Sequence, residues 1–187
     1  MGAYKDVFDQ STTDPAGFWA AAAEAVTWTR APQRILDDTN PPFYRWFPDA
    51  ELNTCANALD RHVAGGRAEQ PALIYDSPVT DTKRVYTYAE LLDETARFAG
   101  GLRSLGVGKG DRVVIYMPMS IEGIVAMQAC ARIGATHSVV FGGFSAQSLR
   151  DRVNDTGAKL IITADQQVRG GKNLPLKSIV DEALALG

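Results

Sequence analysis

Arg169-Gly170-Gly171-Lys172 sets two cations around two glycines, behind an apolar run over residues 159–164 and Asp165. Glycines let the backbone enter left-handed conformations and come close to a ligand. Arginine offers a planar fork and lysine a point charge, and together they suit one anion, most naturally a phosphate. A solvated basic turn has the same composition, so the segment alone leaves both readings open. A second glycine pair stands in Phe141-Gly142-Gly143-Phe144-Ser145, after another apolar run. A helix starting at Ser145 would present free amides and a positive dipole end to an anion. A plain tight turn at Gly142-Gly143 is the alternative.

Other chemistries lack their residues. His62 and His137 are the only histidines, and neither a Gly-x-Ser-x-Gly nor a His-Glu-x-x-His pattern accompanies them. His62, beside Asp60-Arg61, reads as a helix-end hydrogen-bonding group rather than a base. There is no Gly-x4-Gly-Lys-Ser/Thr loop, and Gly106-x-Gly108-x-Gly110 follows a helix and precedes a strand, the wrong order for a dinucleotide fingerprint. Cys55 and Cys130 are far apart and lack partners at metal-ligand spacing. No catalytic and no metal constellation is therefore expected.

The elements that must position the two glycine pairs follow from pattern. Residues 72–75 and 85–88 are short β-branched and aromatic runs joined by a polar turn over 76–84. Thr87-x-x-Glu90 is a capping box, and the helix behind it carries Leu91, Leu92, Thr95, Phe98, Ala99, Leu102 and Leu105 on one stripe, closed by Gly106. Residues 112–117 are apolar on both faces, as in a buried parallel strand, and Pro118 ends them. Ser120 caps a helix to about Ile133, terminated by Gly134. Residues 136–141 are expected as another buried strand. Ser145 caps a helix stopped by Gly157, residues 159–164 form a further strand, and Pro175 opens a last helix through Leu186. The fold class is α/β, a largely parallel sheet flanked by helices with right-handed crossovers. If the strands are parallel, both glycine loops leave their carboxyl ends on one edge, where ligands of open α/β sheets bind.

Residues 1–66 differ in character. They hold Phe18, Trp19, Trp28, Phe43, Tyr44, Trp46 and Phe47 and no strand-like alternation. Pro15, capped by Asp14, is expected to start a helix through Glu24. Pro41-Pro42 breaks the chain, and a helix from Asn53 to about Val63 puts Cys55, Leu59 and Val63 at fourfold spacing. So aromatic an extension must bury its rings on something larger. The 187 residues are 45% apolar and 22% charged, with a net charge of −3 and a pI near 5.4. Those values describe an ordinary globular chain and disfavour nucleic-acid or membrane-surface partners. No signal peptide, myristoylation motif or spanning segment is recognised, and the setting expected is reducing and cytoplasmic.

Longer strings carry a resemblance. Leu59-Asp60-Arg61-His62-Val63, Tyr86-Thr87-Tyr88-Ala89-Glu90-Leu91 and Gly110-Asp111-Arg112-Val113 resemble the AMP-forming acyl-CoA synthetases. Tyr116-Met117-Pro118-Met119, Ala129-Cys130-Ala131-Arg132-Ile133-Gly134-Ala135 and His137 through Ser145 are similar to the acetyl-CoA and propionyl-CoA synthetase branch. Phe18-Trp19 and Trp46-Phe47 are similar to that branch's N-terminal extension, so the likeness runs from about residue 14 to the end. It implies a division into that extension (1–66) and the first part of the adenylate-forming domain (67–187). It also implies activation of acetate or propionate by ATP and Mg²⁺ to an acyl-adenylate, releasing pyrophosphate. The thiol of CoA then takes the acyl group and AMP leaves.

By that resemblance, Arg169, Gly170, Gly171 and Lys172 hold the phosphates at CoA's nucleotide end, and Phe141, Gly142 and Gly143 border the same site. Asp76-Ser77-Pro78-Val79 and Asn53-Thr54-Cys55 look more like propionyl members. The family's phosphate loop, ribose-binding acidic residue, hinge arginine and adenylation lysine do not occur in residues 1–187. The chain is thus expected to be the N-terminal portion of a synthetase, inactive alone, with the remaining chain as its partner and an exposed sheet edge that favours self-association. The alternative is a stand-alone, non-catalytic CoA- or nucleotide-binding or regulatory module. Against it stands the apolar helix end over residues 183–187.

Overall fold

The computed structural model describes residues 2–187. The chain divides into two compact units, one reaching Asn53 and one from Thr54 to Gly187.

The first unit opens with α1 (Ala3–Thr13) and α2 (Pro15–Ala23). Helix α2 starts as its residue types require: Pro15 stands at the first position, and the Gly17 amide donates to Asp14 Oδ1 at 3.0 Å. Helix α1 has none of these marks. It buries no residue and is laced locally by a Lys5–Asp9 pair at 2.6 Å and by stacked Tyr4 and Phe8. Strands β1 (Leu36–Asp37) and β2 (Arg45–Trp46) make a two-residue antiparallel ladder. Trp19, Trp28, Trp46 and Phe47 pack on one another, whereas Phe43 and Tyr44 stand exposed. Trp46 lies against Trp19 and Phe47, Phe47 against Trp28, and the Trp28 indole donates to the Ala23 carbonyl at 2.9 Å.

The second unit begins with two wide, π-type helical segments, Ala56–Asp60 and Val63–Arg67, kinked at left-handed Gly66. Cys55 and Leu59 are buried here, as their spacing requires, with Tyr86, Leu91 and Val125. The antiparallel hairpin of β3 (Pro71–Ser77) and β4 (Thr82–Thr87) leads into α3 (Tyr88–Ser104), whose start is the anticipated capping box. Leu91, Thr95, Ala99 and Leu102 are the buried stripe. Leu105 is 66% exposed because it stands past the last helical turn, at the cap.

A parallel sheet follows, built from β5 (Arg112–Met117), β6 (Thr136–Phe141) and β7 (Leu160–Thr163) with α4 (Ile121–Ile133) and α5 (Ala146–Thr156) between them. Strand β5 is central. Its Val113 and Ile115 pack with Ala126, Ala129 and Cys130 of α4 and Ala99 and Leu102 of α3. Its Val114 and Tyr116 face the other way, onto Ala146 and Leu149 of α5 and Leu176, Val180 and Ala183 of α6 (Leu176–Ala185). Helices therefore cover both faces of β5, as its unbroken apolar run requires. Strand β6 corrects the expectation of a second strand buried on both faces. Among the described residues it is an edge strand, with only Val140 buried and Val139 and Phe141 each more than half exposed.

Helices α3, α4 and α5 end alike, each with a left-handed glycine after the last turn. The residue following it donates back across the turn, Val107 to Leu102, Ala135 to Cys130 and Ala158 to Val153. These closures lie at the edge where β5, β6 and β7 begin. The opposite edge, where the strands end, is thereby left to the glycine loops.

Candidate functional site

Because β5, β6 and β7 are parallel, their carboxyl ends share one edge of the sheet. From β6 the chain turns through Gly142-Gly143 into α5, with the Gly143 and Phe144 amides both donating to the Phe141 carbonyl. Ser145 caps α5 by accepting from the Ser148 amide at 3.3 Å.

Beyond β7 the residue types predict a basic loop; the chain instead forms a second hairpin, β8 (Gln167–Arg169) and β9 (Lys172–Leu174). Gly170 and Gly171 are its two-residue tip, at φ +55° and +72°. Two successive left-handed residues match the right-handed twist of a tight hairpin, which is why a glycine pair serves there. The signal was present in Gly-Gly between two short polar runs. Arg169 and Lys172 are directly paired across the tip, so their side chains start from one face.

The two loops meet. The Arg169 guanidinium lies over the Phe141 ring, 4.6 Å from its centre. A Cβ on Gly143 would collide with Arg169 Nη1 and come within 3.0 Å of the Phe141 ring. A Cβ on Gly142 would lie 2.8 Å from Gln167 Oε1, and Gln167 Nε2 donates to the Gly142 carbonyl. Neither Gly142 nor Gly143 has a positive φ, so space rather than backbone conformation excludes a side chain at this pair. Of the seven residues singled out from sequence, Phe141, Gly143 and Arg169 touch, and Gly142 joins them through Gln167. Gly170 and Gly171 form the tip, with open space where a Cβ would stand, and Lys172 stands exposed opposite Arg169. Among the described residues neither Arg169 nor Lys172 has a carboxylate partner, so both charges are available to an outside anion.

Residues not anticipated support this arrangement. Phe144 stacks edge-on against Phe141 at 6.1 Å, and Arg152 lies over Phe144 at 5.0 Å. A cleft of about 630 Å³ is lined by Phe141, Val168 and Arg169 and also by Tyr75, Pro118 and Met119. It has the size of a small-ligand site. No spacing pattern in the sequence marks Gln167 or Arg152.

The histidines stay outside this edge. His62 lies tilted against Tyr88, ring centres 4.8 Å apart, with Nδ1 3.4 Å from Arg67 Nη1, and loss of water contact followed by Arg61 and Arg67 holds its pKa below the ordinary value. Burial lowers that of His137. Among the described residues no group of three or more His, Cys, Asp or Glu is placed to hold a metal ion, and no helix is long and apolar enough to cross a membrane.

Residues 59–185 match the family model described as AMP-binding enzyme. The chain belongs to that family. Residues 4–58 match a second model, described as acetyl-coenzyme A synthetase N-terminus. Proteins named acetyl-coenzyme A synthetase from Burkholderia mallei and Burkholderia pseudomallei are 58% identical over the whole chain, and one from Burkholderia thailandensis is 57% identical. The chain spans 28% of the length of each of these relatives. Among solved structures, acetoacetyl-CoA synthetase from Streptomyces lividans superposes with a TM-score of 0.88 at 34% identity, over 98% of this chain and 28% of that one. The α/β architecture and the family read from the sequence strings are both borne out.

Proposed function

We propose that this AMP-binding chain is part of a short-chain acyl-CoA synthetase and that its glycine loops bind the phosphorylated nucleotide end of CoA. The parent reaction joins acetate or propionate to CoA at the expense of ATP, with Mg²⁺, releasing AMP and pyrophosphate. The names carried by the Burkholderia relatives support the acetate member of that pair. Two free, buried cysteines suit a cytoplasmic setting.

The observation that carries the CoA reading is the Arg169 guanidinium, seated on Phe141 against Gly143 and without a carboxylate partner among the described residues. The residues present fit the group. Arg169 and Lys172 offer a fork and an ammonium from one hairpin face, suited to phosphate oxygens. The bare Gly142-Gly143 backbone admits close approach, and the exposed Phe141 face offers a flat apolar surface. CoA would supply the thiol that accepts the acyl group. This chain's residues bind and orient its nucleotide end, and the sequence holds none of the family's adenylation groups.

Calorimetric titration of the chain with CoA and with dephospho-CoA tests the reading. Saturable CoA binding that weakens without the 3′-phosphate supports it. Equal binding of both, or of neither, returns the hairpin to an ordinary basic turn.

A further inference from the structure

Tyr116 is fully buried in the central strand, paired in register with Val140 of β6, and its side chain lies in the core beneath α5 and α6. A buried phenol needs a partner for its hydroxyl. Tyr116 finds one 28 residues away, where Oη donates to the Phe144 carbonyl at 2.8 Å. Burial raises the Tyr116 pKa, so the hydroxyl remains a proton donor throughout the neutral range.

That carbonyl closes the turn that begins at Phe141, one residue before the Ser145 cap of α5. The turn is thus held from two directions. Gln167 fixes the Gly142 carbonyl from the hairpin that carries Arg169, and Tyr116 fixes the Phe144 carbonyl from below. Between these anchors Phe141 and Phe144 stack on each other, and Arg169 rests on Phe141. We propose that Tyr116 is a positioning residue for ligand binding, its hydroxyl holding the 141–144 turn so that Phe141 presents a fixed seat to Arg169. The inference rests on the CoA reading for the identity of the ligand, but not for the role of the hydroxyl.

The test compares the wild-type chain with Tyr116→Phe, which keeps the ring and removes only the donor. Two quantities are read on the same samples: CoA affinity by calorimetry, and hydrogen exchange at the Gly143 and Phe144 amides. Faster exchange at both amides together with CoA binding weakened about three- to tenfold, the effect of one lost neutral hydrogen bond, supports the proposal. Unchanged exchange in a folded variant overturns it, as does faster exchange with unchanged CoA affinity. If wild-type chain does not bind CoA, the CoA reading fails, while exchange still decides whether the hydroxyl holds the turn. Should the variant not fold, the Tyr116 hydroxyl proton in wild-type chain is followed by NMR. Slower exchange on saturation with CoA supports the role, and indifference to CoA overturns it.

Discussion

Replacing Gly143 with Ala perturbs the candidate site without touching a charge. Gly143 does not have a positive φ, so alanine brings no left-handed strain. Its methyl would collide with Arg169 Nη1 and lie 3.0 Å from Phe141 Cε1. The end of a flexible arginine gives way more readily than a ring on a sheet edge, so the guanidinium leaves the Phe141 face. What is lost is one exposed cation–π contact, about 0.5–1 kcal/mol. That is about a two- to fivefold loss in the population of the seated conformer, at 1.4 kcal/mol per decade. CoA affinity is expected to fall by that factor, with stability changed by no more than about 1 kcal/mol, because the lost contact is partly offset by the lower unfolded-state entropy of alanine. Gly170→Ala is the comparison. A Cβ there meets open space, but φ is +55°, so it costs about 1 kcal/mol or more of hairpin strain without direct collision with the guanidinium. Calorimetry with CoA and a melting curve on each variant separate the two effects. Wild-type CoA affinity in Gly143→Ala, alongside a clear loss in Arg169→Ala, would refute the seating argument.

Arg169→Ala itself removes a charge-assisted phosphate contact of about 1.5–3 kcal/mol, so CoA binding should weaken about ten- to hundredfold. In the parent synthetase, acid-dependent pyrophosphate exchange measured without CoA should be untouched; a parallel loss there would mean that Arg169 serves another step. Burial pushes the Cys130 thiol up to about 11 and also raises that of Cys55, against the opposing pull of Arg132. At about pH 8 neither should react with a thiol reagent until the chain is unfolded, and rapid labelling of native protein would contradict the buried packing. Lys159 and then the Gly108 amide hold the Asp111 carboxyl below its ordinary 3.8. Its contribution to stability is present above that value and disappears as pH falls through the lower folded-state value. Melting temperatures taken from about pH 5 down to pH 2.5 should therefore fall less steeply for Asp111→Asn than for wild type; parallel curves would remove Asp111 from the acid transition.

Where local chemistry alone decided an element, the sequence was enough. Thr87 and Glu90, Ser120, Ser145 and the glycines 106, 134 and 157 all act as caps in the positions their types demand. The alternate burial along β5 likewise follows from its apolar run. Readings that needed a neighbour went astray. Residues 136–141 have the composition of a central strand, but composition does not say which strand lies outermost, and among the described residues β6 is an edge. Helix α1 starts without a capping side chain, and its apolar residues Tyr4, Val7 and Phe8 stay exposed. At the candidate site the residue types were legible as anion-binding, and the shared edge followed from parallel strands. The seating of Arg169 on Phe141 and the Gln167 and Tyr116 anchors were not, because each joins residues far apart in the chain.

The pairing of Arg169 with Lys172 across the hairpin tip has a cost. Like charges directly opposite each other on one face repel, and the left-handed glycines between them leave no side chain to intervene. The hairpin is therefore locally frustrated when alone, and any dianion that settles between the cations relieves that frustration while it binds. Sulfate or phosphate in a buffer should quieten the tip, and ordinary monovalent salt should do so more weakly by screening. Ligand-free and ligand-bound chains would then differ most in the motion of four residues, with the sheet beneath them unchanged.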